Sequence, residues 1–160
     1  MKNLSIIVGC LNDNDIPEQI KNDIIIIEAF QKNIKSIKKF KCFNYFVSNK
    51  CENISLYYSD TIKPELKLLK ENKNDIIDDI LKHEELKHYE KIKHIKSIKS
   101  NCFKTITLNS FFKKIKIPKN TNIEIYISED VDIKIVNNKL KKEYNIIKLI
   151  KNNKVIYHKI

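Results

Sequence analysis

A single glycine, Gly9, is the feature of this 160-residue chain that most restricts what it can fold into. A loop that cradles phosphate groups needs several glycines, because its backbone N–H groups must come close to the ligand. Gly9 alone cannot form such a loop, so the sequence lacks the fingerprints of nucleotide-binding proteins. Turn signals come instead from asparagine, in NNK at 137–139 and in KNNK at 151–154.

The charge of the chain is strongly one-sided. The formal net charge is +11, and the basic side chains other than histidine are all lysines. A basic chain attracts polyanions, which makes nucleic acid the first candidate partner and an anionic membrane surface the second. Lysine is a point charge that cannot make the bidentate contacts of arginine. Contacts with nucleic acid should therefore favour the phosphate backbone over the bases.

The cysteines and the hydropathy pattern indicate a reducing compartment and no membrane span. Cys10, Cys42, Cys51 and Cys102 include no C-x-x-C pair, so we expect four free thiols. No apolar run reaches the roughly 18 residues that a membrane-spanning helix needs. The N-terminal stretch LSIIVGCL at 4–11 is typical of a strand and not of a secretory signal or a transit peptide.

The stretch HEELKH at 83–88 comes close to the H-E-x-x-H signature of zinc proteases. That signature places two histidines four residues apart on one face of a helix. Here His83 and His88 are five apart, position 87 is a lysine, and His94 lies six residues further on. The second histidine would point about 140° away from the first on a helix. We interpret the stretch as a solvated helix face and expect no metal site.

Other catalytic patterns are also missing from the sequence. Asp78 and Asp79 are adjacent, so on a strand they would point to opposite faces. Ser59 and Asp60 are typical of a turn followed by a helix cap. We therefore predict that the chain is not an enzyme and that it uses neither a cofactor nor a small-molecule substrate.

Hydrophobic periodicity divides the first 82 residues into alternating strands and helices. The elements are, in chain order, a strand at 4–11, a helix at 17–33, strands at 34–47 and 53–60, a helix at 61–74 and the run DIIDDILK at 75–82. The helix at 17–33 starts at a capping box formed by Asp15 and Glu18. The last run fits either a fourth strand or more helix.

The hydrophobic periodicity of the sequence changes towards the C-terminus. Residues 83–99 have helical periodicity, whereas the segments after Asn101 alternate with a period of two, as in a small antiparallel meander. We therefore predict a ferredoxin-like domain at 1–82, a helical extension at 83–100 and a β-rich extension at 101–160. The fold class is α+β, because the order of the first six elements matches the split βαββαβ arrangement, with two helices on one face of a sheet.

Residues 4 to about 90 resemble the bacterial-type small-subunit ribosomal protein S six. The family's first strand leads through an Asp-Pro-rich loop into a long helix, as LSIIVGCLNDNDIPEQIKNDIIIIEAFQKN does. Its basic second strand is similar to KKFKCFNYFV, with Tyr45 at the tyrosine position, and its tyrosine-rich third strand is similar to NISLYYSD. The rhythm of ELKLLKENKNDIIDDILK favours a strand at 75–82. The family's flanking glycines and its arginines are missing. Residues 113–159 resemble, more weakly, large-subunit ribosomal protein L six.

The resemblance implies a structural constituent of a small ribosomal subunit that binds ribosomal RNA and a neighbouring protein of the S eighteen type. Similarity of LKHEELKH to mitochondrial members implies a mitochondrial ribosome. The alternative locations are another organelle with an AT-rich genome and the cytoplasm. The implied RNA-binding residues are Lys35, Lys38, Lys39, Lys41 and Lys50, and the implied partner contacts are Tyr45, Tyr57 and Tyr58. The alternative is a small basic nucleic-acid-binding or inhibitory protein of a virus or mobile element.

Overall fold

The chain forms two compact units in which the second interrupts the first. The computed structural model describes residues 2–10, 12–59, 70–129 and 131–160. The first unit consists of Met1–Glu52 and Lys104–Ile160, and the second unit is Asn53–Phe103. This division differs from the boundaries predicted at residues 82 and 100, because segments far apart in the sequence share one sheet.

The described residues of the first unit contain strands, short helices and two 3-10 turns. In chain order these elements are β1 (Asn3–Val8), a 3-10 turn (Asp13–Asp15), β2 (Asp23–Glu28), α1 (Gln31–Ile34), β3 (Lys41–Asn44), β4 (Phe46–Val47), α4 (Leu108–Lys114), β7 (Asn122–Ile127), a 3-10 turn (Ile133–Ile135), α5 (Asn138–Glu143), β8 (Asn145–Lys151) and β9 (Lys154–His158). The second unit contains β5 (Asn53–Ser59), α2 (Lys73–Lys82) and α3 (His88–Lys96), and β6 (Ile98–Ile106) continues from it into the first unit.

Six strands of the first unit form one mostly parallel sheet in the order β3-β2-β1-β7-β8-β9. All neighbouring strands in it are parallel except β9, which returns antiparallel to β8. Numbered along the chain, these strands run 3-2-1-4-5-6 across the sheet, which is the order of the doubly wound α/β folds. The fold is therefore mixed α and β, as predicted at the level of class.

Both faces of the sheet are buried at its central strands, which explains why these strands are so rich in isoleucine. Strands of a parallel sheet read as nearly continuous apolar runs, because neither face meets water. Ile6 and Ile27 pack on one face with Phe111, Phe112 and side chains of α5. Neighbouring strand positions, whose side chains point the other way, form a second cluster on the opposite face; its buried members are Ile7, Cys10, Ile16, Ile26 and Ile37.

This topology contradicts the predicted ferredoxin-like arrangement. The predicted helix at 17–33 is wrong, since its centre forms strand β2, which pairs in parallel with β1 from Leu4 to Val8. The four consecutive isoleucines at 24–27 are β-branched and fill a central strand, and this preference outweighs the capping signal. The predicted capping box of Asp15 and Glu18 starts no helix; a different box, formed by Asn12 and Asp15, caps the 3-10 turn that precedes it.

The run at 75–82, predicted as a strand, lies instead in helix α2. Asn72 caps this helix by accepting a bond from the Asn74 N–H at 3.0 Å. Ile76 and Ile80, four residues apart, share the buried face. The helix predicted at 61–74 lies mostly outside the described residues.

The C-terminal segment is less antiparallel than predicted. β7 and β8 are parallel, and only β8 and β9 form a hairpin, whose turn places Asn152 and Asn153 at φ +53° and +60°. The alternating stretch VDIKIV at 131–136, part of the predicted meander, contains a 3-10 turn at Ile133–Ile135, and the turn signal at 137–139 opens α5. Asn137 caps that helix through the Leu140 N–H, which is why the asparagines end one segment without forming a hairpin.

The second unit has a small core of its own. Ile76 and Ile80 are fully buried, and Tyr57, Leu86 and Ile95 pack against them. The backbone of Tyr57 also exchanges two hydrogen bonds with that of Lys70, at 2.8 and 3.2 Å. In the part of the chain that the structure describes, every helix is too short or too polar to cross a bilayer.

Candidate functional site

The carboxyl edge of the parallel sheet is the position where a doubly wound fold ordinarily binds its ligand. Strand β1 lies at the centre, with β2 on one side and β7 on the other. The chain leaves β1 towards β2 in the first half of the unit, and β7 starts the second half on the other side. A crevice opens at such a switch in strand order, outside the carboxyl ends of the strands.

Gly9 lies at this switch point, immediately after β1. Its φ of +86° belongs to the region that residues other than glycine rarely adopt. A Cβ placed on Gly9 would lie 2.3 Å from the hydroxyl oxygen of Ser128, which follows β7. The Gly9 N–H also donates to the carbonyl of Ile27 at 2.9 Å, and the Ser128 N–H donates to the carbonyl of Val8 at 3.0 Å. The lone glycine therefore allows three strand ends to converge.

Glu28 ends β2 and is the most constrained carboxylate at this edge. Its side chain is buried, with 6% of its surface exposed. One carboxylate oxygen, Oε2, accepts a bond from the Phe30 N–H and another from the side-chain amide of Asn33, both at 2.8 Å. Asn33 is itself buried. Two fixed donors therefore hold a charged group at the end of the strand next to β1.

The loops around Glu28 are tied to one another by polar contacts. The amide of Asn44, at the end of β3, donates to the carbonyls of Glu28 and Ala29 at 3.0 and 2.9 Å. The carboxylate of Asp13, in the loop after β1, accepts bonds from the backbone N–H groups of Lys38 and Lys39. Asn44 therefore ties the end of β3 to the end of β2, and Asp13 ties the loop after β1 to the segment that leads into β3.

Two cysteine thiols near these contacts have raised pKa values, chiefly because they are buried. Burial, together with the charges of Asp15 and Glu28, raises the pKa of Cys10 to about 12. Burial also raises the pKa of Cys42, with the charges of Asp13 and Glu28 adding to the effect. Asp13, Asp15 and Glu28 therefore lie near these two thiols, in a chain whose net charge is +11.

The lysines predicted to bind RNA are all exposed but do not form a single cluster along the chain. Lys35, Lys38 and Lys39 lie on the crossing from β2 to β3, and Lys41 opens β3, the outermost strand of the sheet. The ammonium group of Lys41 lies 5.4 Å from the ring centroid of Phe43. Lys50 lies apart from these, in the segment after β4.

The three tyrosines predicted to contact a partner do not belong to the same unit. Tyr45 lies in the first unit, where its ring packs edge-on against Phe111 and its hydroxyl accepts a bond from the Lys114 ammonium. Tyr57 packs into the core of the second unit. Tyr58 is its neighbour on β5, so its side chain points to the other face of that strand.

The histidines of the zinc-like stretch belong to different elements. His83 caps the C-terminus of α2, and His88 is the first residue of α3. Among the described residues, no three histidine, cysteine or acidic side chains lie close enough together to hold a metal ion.

Sequence reasoning missed Glu28, Asn33 and Asn44, because the strand before Glu28 was interpreted as helix. One signal could have identified Glu28. It stands 19 positions after Gly9, close to the spacing of about 20 residues between the first turn of a dinucleotide-binding fold and its ribose-binding acid. No protein-family model, no curated protein and no solved structure matches this chain.

Proposed function

We propose that the carboxyl edge of the first unit binds a nucleoside cofactor that carries no phosphate, of the S-adenosylmethionine class. The observation that carries the proposal is the buried, doubly hydrogen-bonded carboxylate of Glu28 at the end of β2, beside the switch point of a doubly wound sheet. An acid at this position ordinarily accepts hydrogen bonds from ribose hydroxyl groups.

The acceptor capacity of Glu28 fits a ribose. An ionised carboxylate offers about four lone-pair positions. The Phe30 N–H and the Asn33 amide both use Oε2, so Oε1 would accept the bonds from the hydroxyl groups of a ribose that reaches this edge. Because the side chain is already held in place, little conformational entropy is lost when the ligand binds.

The loop after β1 argues against a phosphate-bearing ligand. A pyrophosphate site needs a glycine-rich turn that leads into a helix N-terminus. Here Gly9 is the only glycine, and the loop leads into a single 3-10 turn that carries Asp13 and Asp15. Two carboxylates there would repel phosphate. They tolerate the ammonium group of an amino-acid moiety such as that of S-adenosylmethionine.

The chain's own residues would bind and orient this ligand. Glu28 would hold the ribose, while Asn44 and Asn33 would keep the loops after β2 and β3 in register with it. The close packing of Gly9 against Ser128 would set the floor of the crevice. When bound, S-adenosylmethionine supplies an electrophilic methyl group.

Calorimetric titration tests the proposal directly. We expect S-adenosylmethionine to bind the whole chain, and we expect Glu28→Gln to weaken binding about 10- to 100-fold, since hydrogen bonds to a charged group contribute about 1.5–3 kcal/mol. The substitution keeps a carbonyl oxygen for the Phe30 N–H, so the fold should persist. Glu143→Gln is the matched control, because Glu143 lies before β8 at the other edge of the sheet.

Competing ligands decide which part of the cofactor is recognised. Adenosine should displace S-adenosylmethionine more weakly than S-adenosylhomocysteine does, and NAD, which contains a pyrophosphate, should not displace it. Equal binding by the wild type and Glu28→Gln would contradict the role of Glu28. Displacement by NAD would contradict the argument from the acidic loop.

The ribosomal role stays a proposal that rests on the sequence resemblance. The exposed lysines at 35, 38 and 39 are compatible with contact to RNA. The expected ferredoxin-like platform is replaced by a doubly wound sheet, so the resemblance has no support from topology. Co-sedimentation with ribosomal subunits in a sucrose gradient tests it, and a chain that stays at the top of the gradient contradicts it.

A further inference from the structure

The amino edge of the same sheet carries a row of hydrogen-bonded asparagines. Asn3, Asn122 and Asn145 are the first residues of β1, β7 and β8, three adjacent parallel strands. The Asn122 amide donates to the side-chain oxygen of Asn3 at 3.0 Å, and the Asn145 amide donates to that of Asn122 at 2.5 Å. The Lys159 ammonium then donates to the side-chain oxygen of Asn145 at 2.8 Å. The row fixes both the strand ends and one lysine.

A shallow pocket of about 340 Å³ lies at the end of this row. Four lysines line it: Lys119, Lys141, Lys142 and Lys159. Of the described residues that line the pocket, Glu143 is the one carboxylate. Its oxygen Oε2 accepts a bond from the Asn109 amide at 3.1 Å and lies 3.7 Å from the Lys113 ammonium.

Three of these lysines are held in place by the protein. The Lys119 ammonium lies 4.0 Å from the ring centroid of Tyr144, and that of Lys141 lies 4.2 Å from the centroid of Tyr157. Such contacts attract a cation to the face of the ring. Lys159 is held by Asn145. Ammonium groups that are already ordered lose less side-chain entropy when they bind an anion.

The field at this edge is positive enough to affect Glu143. The Asn109 hydrogen bond, followed by the charges of Lys113, Lys139 and Lys119, lowers the pKa of that carboxylate. Glu143 brings one negative charge to a pocket lined by four lysines, so the pocket keeps an excess of positive charge.

We infer that this pocket is a binding site for the phosphate backbone of single-stranded nucleic acid. Small-molecule sites enclose most of their ligand, whereas this pocket is open to solvent, which suits an extended polyanion. Lys119 and Lys141 lie over the rings of the tyrosines beside it, and Tyr144 is buried, so stacking of bases contributes little to the site. Recognition therefore depends on charge and not on base sequence. The site lies at the edge opposite the proposed nucleoside site and does not depend on it.

The test compares two variants that remove the same charge. Binding of a labelled oligo(U) of about 20 nucleotides is measured by fluorescence anisotropy from roughly 50 to 200 mM salt. In single strands each phosphate contact contributes about 0.7 to the slope of log K against log salt. We expect Lys119→Gln/Lys141→Gln/Lys142→Gln to reduce the slope by about 2. We expect Lys73→Gln/Lys82→Gln/Lys87→Gln, at exposed lysines of the second unit, to leave it nearly unchanged.

A single variant guards against loss of folding. Lys142→Gln breaks none of the three lysine contacts described above and should lower the slope by about 0.7. Equal slopes for the two triple variants would overturn the inference, because net charge alone would then explain binding. The inference would also be overturned if the wild type bound tripolyphosphate but not oligo(U), and if the pocket variant lost the binding of tripolyphosphate. The pocket would then be a site for a small phosphorylated ligand.

Discussion

The two edges of the parallel sheet have opposite electrostatic character although the same strands build both. At the carboxyl edge Glu28 ends β2, and the loop that leaves β1 carries Asp13 and Asp15. At the amino edge of β7 and β8, four lysines line an open pocket. Lysine accounts for the net charge of +11, yet the carboxylates gather where a doubly wound fold binds ligands.

This difference shows that a biased composition does not decide every surface of a protein. A lysine-rich chain is basic on average, and from the average alone it should bind polyanions anywhere. The fold sorts the charges, because all parallel strands end at one edge and begin at the other. A ligand is therefore better predicted from an edge than from the net charge.

The largest effect should come from the carboxyl edge, at Gly9. We expect Gly9→Ala to lower the free energy of unfolding by about 2–4 kcal/mol, since a strained backbone costs about 1–3 kcal/mol and the new Cβ would also meet the Ser128 hydroxyl. Urea denaturation followed by circular dichroism measures the change.

A double-mutant cycle separates the two causes. Ser128→Gly removes the side chain that the new Cβ would strike, so Gly9→Ala/Ser128→Gly should recover the steric part of the loss but not the part due to φ. If the two losses simply add, Ser128 does not restrict Gly9, and the convergence of the strand ends does not explain the glycine.

The next effect concerns pH, and it again belongs to the carboxyl edge. Cys10 has a pKa of about 12 in the folded chain against an ordinary value of 9.0. Above pH 9 the unfolded chain loses this proton while the folded chain keeps it. Stability from Cys10 is therefore complete below pH 9 and falls as the pH rises towards 12, by at most about 1.4 kcal/mol per pH unit.

Replacement of individual cysteines isolates this contribution. Cys10→Ala should flatten the decline in unfolding free energy between pH 9 and 10.5, whereas Cys102→Ala, at an exposed thiol, should leave its slope unchanged. A decline that persists undiminished in Cys10→Ala would mean that lysines and tyrosines titrating in the same range are responsible.

The sequence predicted the class of the fold and several of its strands, but not their connectivity. Periodicity identified β1 and β5, and it marked the C-terminal region that contains β7, β8 and β9 as rich in strands, because each is a short apolar or alternating run bounded by polar residues. It assigned β2 to a helix, since four consecutive isoleucines fit either a buried strand or a buried helix turn. Pairing between β1 and β7, more than a hundred residues apart, leaves no local signal.

The candidate site was missed for the same reason. Glu28 can be recognised as a candidate ligand-binding residue only when β2 is known to be a parallel strand beside β1, because the end of such a strand lies at the edge where ligands bind. The predicted lysines were chosen by charge and position in a supposed strand. Nothing in the sequence alone indicated that Lys119, Lys141 and Lys159, which are spread over about forty residues, line one pocket.

The smallest expected effect lies at the amino edge and asks whether the two edges are independent. Asn122→Ala removes the middle of the asparagine row and so breaks its bonds to both Asn3 and Asn145. Two hydrogen bonds of this kind contribute together about 1–2 kcal/mol to the free energy of unfolding. Asn138→Ala, at an exposed position in the first turn of α5, is the control and should change stability by less than about 0.5 kcal/mol.

Calorimetric titration should give the same affinity for S-adenosylmethionine in Asn122→Ala as in the wild type, because strand ends at opposite edges share no side-chain contacts. A loss of nucleoside affinity in Asn122→Ala would show that the row positions β1 and β7 along their whole length, and the separation of the two edges into independent sites would be wrong.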